Sequence, residues 1–316
     1  MPIKLDEQEK YSKFIVEIAD ELDSLAISQN QILWHYTNGP ALVSILESGK
    51  LYSTQVSCLN DSRELSYASD LIRDAYIALP TVVEDLSEQE QGLLREVIKY
   101  YSDPEIAATV KNSSRWFVSC FSERKDDLSQ WRAYGSGENG YAIAFAAGGL
   151  WSPVRTMVRI NYDFALHQKL AAKIAKTSLQ FYREGELARS ETVKSESDKP
   201  WSEEFFQEWD YALSYVSPFV KHHAFAGEKE YRLLHQLREE DFSELKIQQK
   251  NNLLARHLPI ACSVDGSTTS QLPIREIMVG PSRHKEISAV TVRSLLKKCG
   301  YDSVNVSLSE VPFQSP

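Results

Sequence analysis

The order in which strand-like and helix-like segments follow one another constrains the fold most. Runs of aromatic and β-branched residues, which favour strands, lie towards both ends of the chain, and helical periodicity dominates the middle. The clearest strand-like runs are 32–36, 51–54, 115–121, 141–145, 256–262, 274–279 and 303–307. No internal repeat is visible. This order favours a single α+β domain that carries helical insertions.

Local signals set the boundaries within this plan. Apolar residues recur at helical spacing over 5–27, which predicts an amphipathic helix, so we assign residues 1–30 to an N-terminal helix. The α+β domain then covers 31–316, with helical insertions at about 62–112 and 163–221. A further helix is predicted over 41–47, because Asn-Gly-Pro precedes it and Gly49 stands where a C-terminal cap belongs.

Charge and hydropathy restrict the classes of partner. The net charge is −9, from 35 basic and 44 acidic residues, which argues against broad, non-specific binding to nucleic acids. Residues 184–204 hold seven acidic and three basic side chains, however, so much of the acidity is local and nucleic acid stays open as a partner. No run approaches the roughly 18 apolar residues of a membrane span, and the charged N-terminus does not resemble a signal peptide. We expect a cytoplasmic protein without a membrane partner.

Metal chemistry is weakly supported. The four cysteines, Cys58, Cys120, Cys262 and Cys299, form no CxxC pair, and no HExxH segment is present. Both are spacings by which zinc sites are recognised. We therefore expect no metal site.

Two strand segments carry the first group of candidate binding residues. His35, Tyr36 and Thr37 end one strand, and Tyr52, Ser53 and Thr54 lie on the next. Such side chains can hold a ribose or an amide by hydrogen bonds. The structural alternative is a satisfied histidine beside core aromatic residues.

A second group lies near residue 230. Glu228 and Glu230 are separated by one residue, and on a strand such side chains point the same way. Two carboxylates that close together suit acid–base work or the stabilisation of a cation. The structural alternative is an edge strand with solvated charges.

The loop between the strands at 115–121 and 141–145 is rich in polar and aromatic residues. Gln130, Trp131 and Tyr134 are candidates for gripping a planar ligand, although a flexible hairpin connection explains the glycines better. The glycines do not match the GxGxxG pattern of dinucleotide-binding domains. Further upstream, Asn60, Asp61 and Glu64 resemble a helix cap.

Taken in order, these segments resemble a family of uncharacterised bacterial proteins known as DUF2971. The resemblance covers about residues 31–307. It rests on His35-Tyr36-Thr37, 41–51, Asn60-Asp61 with Glu64, Cys120-Phe121-Ser122, 128–145, 225–232 and 274–281. The family has no assigned activity.

A weaker resemblance, to ADP-ribosyltransferases, supplies a chemistry. It implies a split, mixed or antiparallel sheet, with His35 holding the ribose of NAD and Glu230 acting as the catalytic glutamate. Glu228 matches the companion position. The resemblance also implies that an arginine meets the phosphates of NAD, with Arg63, Arg132 and Arg232 as the candidates. Tyr52, Ser53 and Thr54 match the second-strand motif loosely. The residue that stacks on nicotinamide is open between Tyr52, Tyr67 and Tyr134.

The combined resemblances predict an enzyme that uses NAD as a substrate to modify a macromolecule, either protein or nucleic acid. Such enzymes in bacteria are often toxins or phage-defence effectors, which would imply an antitoxin-like partner. One alternative is a non-catalytic module that binds a nucleotide and has a regulatory role. A second is a hydrolase or nuclease that uses Glu228, Glu230 and His35 without NAD.

Overall fold

The computed structural model consists of helices and strands, which confirms the α+β class. It describes residues 5–22, 27–59, 63–103, 116–135, 140–150, 155–190, 217–237, 239–250, 253–262 and 271–312, with six further positions between 202 and 213. The α-helices within these residues are α1 (Leu5–Leu22), α2 (Gly39–Ser48), α3 (Arg63–Ala78), α4 (Glu88–Ser102), α5 (Leu128–Tyr134), α6 (Phe164–Ser190) and α7 (Lys285–Lys298).

The strands alternate with these helices along the chain. They are β1 (Ile32–Asn38), β2 (Lys50–Gln55), β3 (Trp116–Ser122), β4 (Gly140–Ala146), β5 (Arg155–Arg159), β6 (Glu230–Gln236), β7 (Lys246–Lys250), β8 (Leu253–Ala261), β9 (Ile274–Val279) and β10 (Asn305–Leu308).

The chain divides into two compact units, where the sequence favoured insertions into one domain. The helical unit comprises Met1–Ser24, Leu59–Ser114 and Asn161–Phe225, and the sheet unit comprises Leu25–Cys58, Arg115–Ile160 and Ala226–Pro316. Helix α1 and the described parts of the two predicted insertions belong to the helical unit. All ten strands belong to the sheet unit.

Aromatic packing holds the helical unit together. Tyr11 of α1 lies 5.2 Å from Phe181 of α6, centroid to centroid, and Phe14 stacks on Trp209 at 5.9 Å. Helix α4 begins with a capping box in which Ser87 and Glu90 satisfy each other's backbone amides. These contacts give the unit an apolar core of its own, which explains why its helices form a separate compact body.

A buried histidine lies within the helical unit. His167 of α6 is only 2% exposed, and its Nδ1 lies 2.8 Å from the Tyr67 hydroxyl. Its Nε2 has no hydrogen-bond partner among the described residues. Burial lowers the pKa of His167 from 6.5 to about 4, although the charge of Asp163 opposes part of that effect.

The lowered pKa of His167 predicts that the stability of the folded chain depends on pH. Above pH 6.5 the His167 ring is neutral in both the folded and the unfolded chain. As the pH falls from about 6.5 to about 4, the unfolded chain takes up a proton that the folded chain does not. The free energy of unfolding should therefore fall by about 2–3 kcal/mol across this window.

Urea unfolding at a series of pH values checks the prediction. Replacement by glutamine, which does not titrate, should flatten the profile between pH 6.5 and 4. An equally steep profile in His167→Gln would show that other groups cause the pH dependence.

In the described part of the chain, ten strands form one sheet, in which every pairing is antiparallel except that of β9 with β10. Strand β6 pairs with β3 along its whole length, from Trp116 to Ser122. The opposite edge of β3 is shared: β1 pairs with it at Ser122, and β2 pairs with it at Phe117 and Val118. The sheet therefore splits between β1 and β2, and it is mixed, as expected.

The sheet has two distinct faces. One face, here called the core face, carries Leu33, Phe121, Ile143 and Tyr231 together with apolar residues of α2 and α7. The other face carries Trp34 and Tyr36 with Trp131 of α5. Because residues paired across neighbouring strands point to the same side, the pairings assign every strand residue near the split to one face or the other.

Candidate functional site

His35 lies on the core face, beside the split. Its Nδ1 is 2.8 Å from the backbone oxygen of Cys120, and its ring centroid is 5.6 Å from that of Phe121. A carbonyl oxygen can only accept, so Nδ1 must carry the proton. In the neutral ring, Nε2 is then a hydrogen-bond acceptor. The half-buried side chain is held in one orientation and one tautomer.

Ser53 approaches the same stretch of β3 from β2. Its hydroxyl oxygen is 2.8 Å from that of Ser119, and both residues are buried. Ser119 and Phe121 are two residues apart on one face of β3, a separation of about 7 Å. The structure thus brings His35 and Ser53 together on the core face, at the point where β1 and β2 diverge.

The other residues of these two strand segments have internal roles. The Tyr36 hydroxyl, on the opposite face, donates to the backbone oxygen of Arg124 at 2.7 Å and accepts from the amides of Asp126 and Asp127 at 3.2 Å. Burial raises the pKa of Tyr36, which keeps this hydroxyl protonated. Tyr36 therefore fixes the turn that follows β3.

The neighbouring candidates divide between buried and half-buried positions. Thr37 is buried. Thr54 is also buried, and its hydroxyl lies 3.2 Å from Nδ1 of His257. Tyr52 is half-buried and packs against the core-face cluster.

The segment from Gln130 to Tyr134 forms helix α5 rather than a flexible connection. The Trp131 indole donates to Asp126 Oδ1 at 2.8 Å, and its ring lies 4.7 Å from that of Tyr36. Gln130 is buried and Tyr134 is half-buried. The predicted ligand-gripping aromatic, Trp131, is therefore a core side chain in this structure.

Glycines make room for this indole. A Cβ atom added at Gly140 or Gly280 would lie 3.2 or 2.9 Å from Cε3 of Trp131. A Cβ at Gly135 would come within 2.6 Å of the Trp131 backbone oxygen. Packing against Trp131 thus explains the glycines at 135, 140 and 280.

Glu230 and Arg232 form a buried ion pair. The Arg232 Nε donates to Glu230 Oε1 at 2.8 Å, and Nη2 donates to Oε2 at 3.2 Å. The arginine side chain is 2% exposed and the glutamate side chain is 6% exposed. Glu230 pairs with Ser122, which pairs with Trp34. Glu230 therefore points to the face opposite His35, and the structure does not bring these two predicted residues together.

Glu228 does not share the strand geometry expected of it. Strand β6 begins at Glu230, and Lys229 has a φ of +49°, so the alternation of side chains does not extend back to Glu228. The backbone oxygen of Glu228 accepts from the Ser122 hydroxyl at 2.6 Å. The expectation that both carboxylates point the same way assumed a strand that the left-handed residue interrupts.

One polar cluster on the core face was not singled out from the sequence. The Tyr231 hydroxyl donates to Glu123 Oε1 at 2.5 Å, and the Gln31 amide nitrogen donates to the same oxygen at 3.1 Å. The Gln31 nitrogen also lies 3.0 Å from the Tyr231 hydroxyl. Burial, and next the bond to Glu123, raise the pKa of Tyr231. The signal was available in principle, because period two puts Tyr231 on the face opposite Glu230.

Several expectations lie elsewhere or beyond the described residues. Asn60 and Asp61 lie outside the described residues, as does the Glu64 side chain. Among the residues that the structure describes, no group of three histidine, cysteine or acidic side chains is arranged to hold a metal ion. None of the helices among these residues has the length and hydropathy needed to cross a membrane.

Comparison with known proteins finds a family match to part of the chain. No curated protein and no solved structure gives a significant match to the chain. A family model does match, over a stretch that runs from α5 to the middle of β6 and includes Trp131, Glu230 and Arg232. The resemblance noted from the sequence is thereby confirmed for residues 130–233, which match the family described as Protein of unknown function (DUF2971).

Proposed function

We propose that the chain is an ADP-ribosyltransferase that uses NAD as a substrate and modifies a macromolecule, protein or nucleic acid. The observation that carries this proposal is the meeting of His35 and Ser53 on one face of β3, at the split in the sheet. A histidine on the first strand and a hydroxyl on the second are the groups that the resemblance assigns to binding NAD.

The orientation of His35 supports a contact with ribose. With Nδ1 bonded to the Cys120 oxygen, Nε2 is the acceptor of the ring, and a ribose hydroxyl is a donor of matching chemistry. In the transferase reaction, the bond between nicotinamide and ribose breaks as positive charge develops on the sugar. Holding the sugar in one orientation lowers the entropic part of that barrier.

Replacing His35 with alanine tests the proposal. Loss of one ribose hydrogen bond should reduce NAD consumption by about 2- to 12-fold, since a bond between neutral groups contributes about 0.5–1.5 kcal/mol. The assay follows nicotinamide release and transfer of label from NAD to mixed protein and nucleic-acid acceptors.

The matched control is His284→Ala, an exposed histidine of the same unit. It should behave as the wild type. The proposal fails if the wild-type protein neither consumes NAD nor gains thermal stability in its presence.

One observation favours a second candidate, a non-catalytic nucleotide-binding module. Glu230, the glutamate that the resemblance makes catalytic, is buried against Arg232 and points away from His35. The same separation weakens the hydrolase alternative, which needs both residues at one substrate. A binding module would gain thermal stability from NAD without releasing nicotinamide.

A further inference from the structure

We propose that Glu123 is the carboxylate that faces the nicotinamide ribose, with Tyr231 and Gln31 as its positioning residues. This inference rests on the proposed function. It assigns the catalytic charge to a residue that follows β3, in place of the glutamate of the Glu-x-Glu segment.

The first support is the way in which Glu123 is held. Tyr231 and Gln31 both donate to Oε1 of Glu123, at 2.5 and 3.1 Å. The Glu123 amide donates to the backbone oxygen of Lys229 at 3.2 Å, which ties the residue to the start of β6. Side chain and backbone are thus fixed by three hydrogen bonds. A group that must stabilise a developing charge acts best when it is oriented in advance.

The second support is the other carboxylate oxygen. No hydrogen bond or ion pair joins Oε2 of Glu123 to any residue that the structure describes, and the side chain is half-buried rather than enclosed. Glu230 differs in this respect, because Arg232 engages both of its oxygens. Glu123 therefore has an oriented, half-buried carboxylate oxygen that a ligand can contact.

The third support is the position of Glu123 relative to His35. The pairing of Trp34 with Ser122 sets His35 opposite Phe121, in agreement with their ring contact. Glu123 comes two residues after Phe121, and its contact with Tyr231 directs it to the same core face. Glu123 lies one residue beyond the end of β3, and shared neighbours link it to His35. Phe121 contacts His35 and pairs with Tyr231, whose hydroxyl bonds to Glu123, so one ligand on the core face can contact both residues.

The reaction at this site balances without a further reagent. The bond between the anomeric carbon and the pyridinium nitrogen of NAD breaks, and nicotinamide leaves as a neutral molecule with the bonding electrons. The Glu123 carboxylate faces the cationic sugar that forms. The nucleophilic atom of the acceptor then bonds to the anomeric carbon, and its proton passes to Glu123 and on to water.

Glu123→Gln is the test, because glutamine keeps an acceptor for Tyr231 and Gln31 and removes only the charge. We expect nicotinamide release at saturating NAD to fall by about 100-fold or more. The affinity for NAD, measured by calorimetry, and the melting temperature should change little. Glu286→Gln, an exposed carboxylate of the same unit, is the matched control and should release nicotinamide at the wild-type rate.

The outcomes separate this inference from the proposed function. If the wild type turns over NAD and Glu123→Gln does so equally well, the assignment of Glu123 is wrong and the function stands. If the wild type neither binds nor consumes NAD, both are wrong.

Tyr231→Phe gives an independent reading should the glutamine variant fold poorly. It removes one donor to Glu123 and keeps the ring. A tenfold lower kcat with an unchanged KM is the result expected of a positioning residue, and an unchanged kcat contradicts the inference.

Discussion

Replacing Glu230 with alanine should lower the free energy of unfolding by about 3–5 kcal/mol. The variant leaves the Arg232 guanidinium, which is almost fully buried, without the carboxylate that accepts two of its hydrogen bonds. Removing one partner of a buried ion pair costs more than the pair itself contributes, because the desolvation of the remaining ion is less completely offset. Urea unfolding followed by circular dichroism measures the change.

The paired control replaces both ions. Glu230→Leu combined with Arg232→Met removes the charges and keeps side chains of similar length, so most of the lost stability should return. A Glu230→Ala protein with wild-type stability but no NAD turnover would be the opposite result. That result would make Glu230 a group that acts on the ligand, and it would contradict the structural role that the ion pair indicates.

The elements that local signals specify were predicted well. Helix α2 is an example. The Asn38 side chain accepts from the Ala41 amide at 2.9 Å, and Gly49 ends the helix with a φ of +63°. Both features follow from residue types at adjacent positions, as the sequence predicted. Strands β1 and β3 were likewise recognised by their aromatic and β-branched composition.

The arrangement of the candidate site depended on pairings between distant segments. Strand β3 lies between β6 on one edge and β1 with β2 on the other, and no local pattern specifies that order. The order decides that His35 shares a face with Tyr231 and not with Glu230. A single residue, Lys229, in a left-handed conformation also ended the alternation that would have aligned Glu228 with Glu230.

Polar and aromatic residue types give a second reason why the site could not be assigned from the sequence alone. Tyr36 and Trp131 were candidates for ligand binding because such side chains commonly grip planar molecules. In the structure, the Tyr36 hydroxyl bonds to backbone groups and the Trp131 indole bonds to Asp126. A buried tyrosine or tryptophan needs a partner for its polar atom, and a core contact meets that need as well as a ligand does.

Trp131 gives the second large expected effect. Trp131→Ala should lower the free energy of unfolding by about 3–5 kcal/mol, because it empties a buried site bounded by glycines that bring no side chain to fill it.

Gly280→Ala alone should lower the free energy of unfolding by about 1–3 kcal/mol, because its Cβ would lie 2.9 Å from Trp131 Cε3. In the Trp131→Ala background that contact is gone, although the Gly140 oxygen, also at 2.9 Å, still restricts the new methyl group. The two changes should therefore be less costly together than the sum of their separate effects. If the losses in the free energy of unfolding, measured with urea, are strictly additive, then the need to make room for the indole does not explain the glycine.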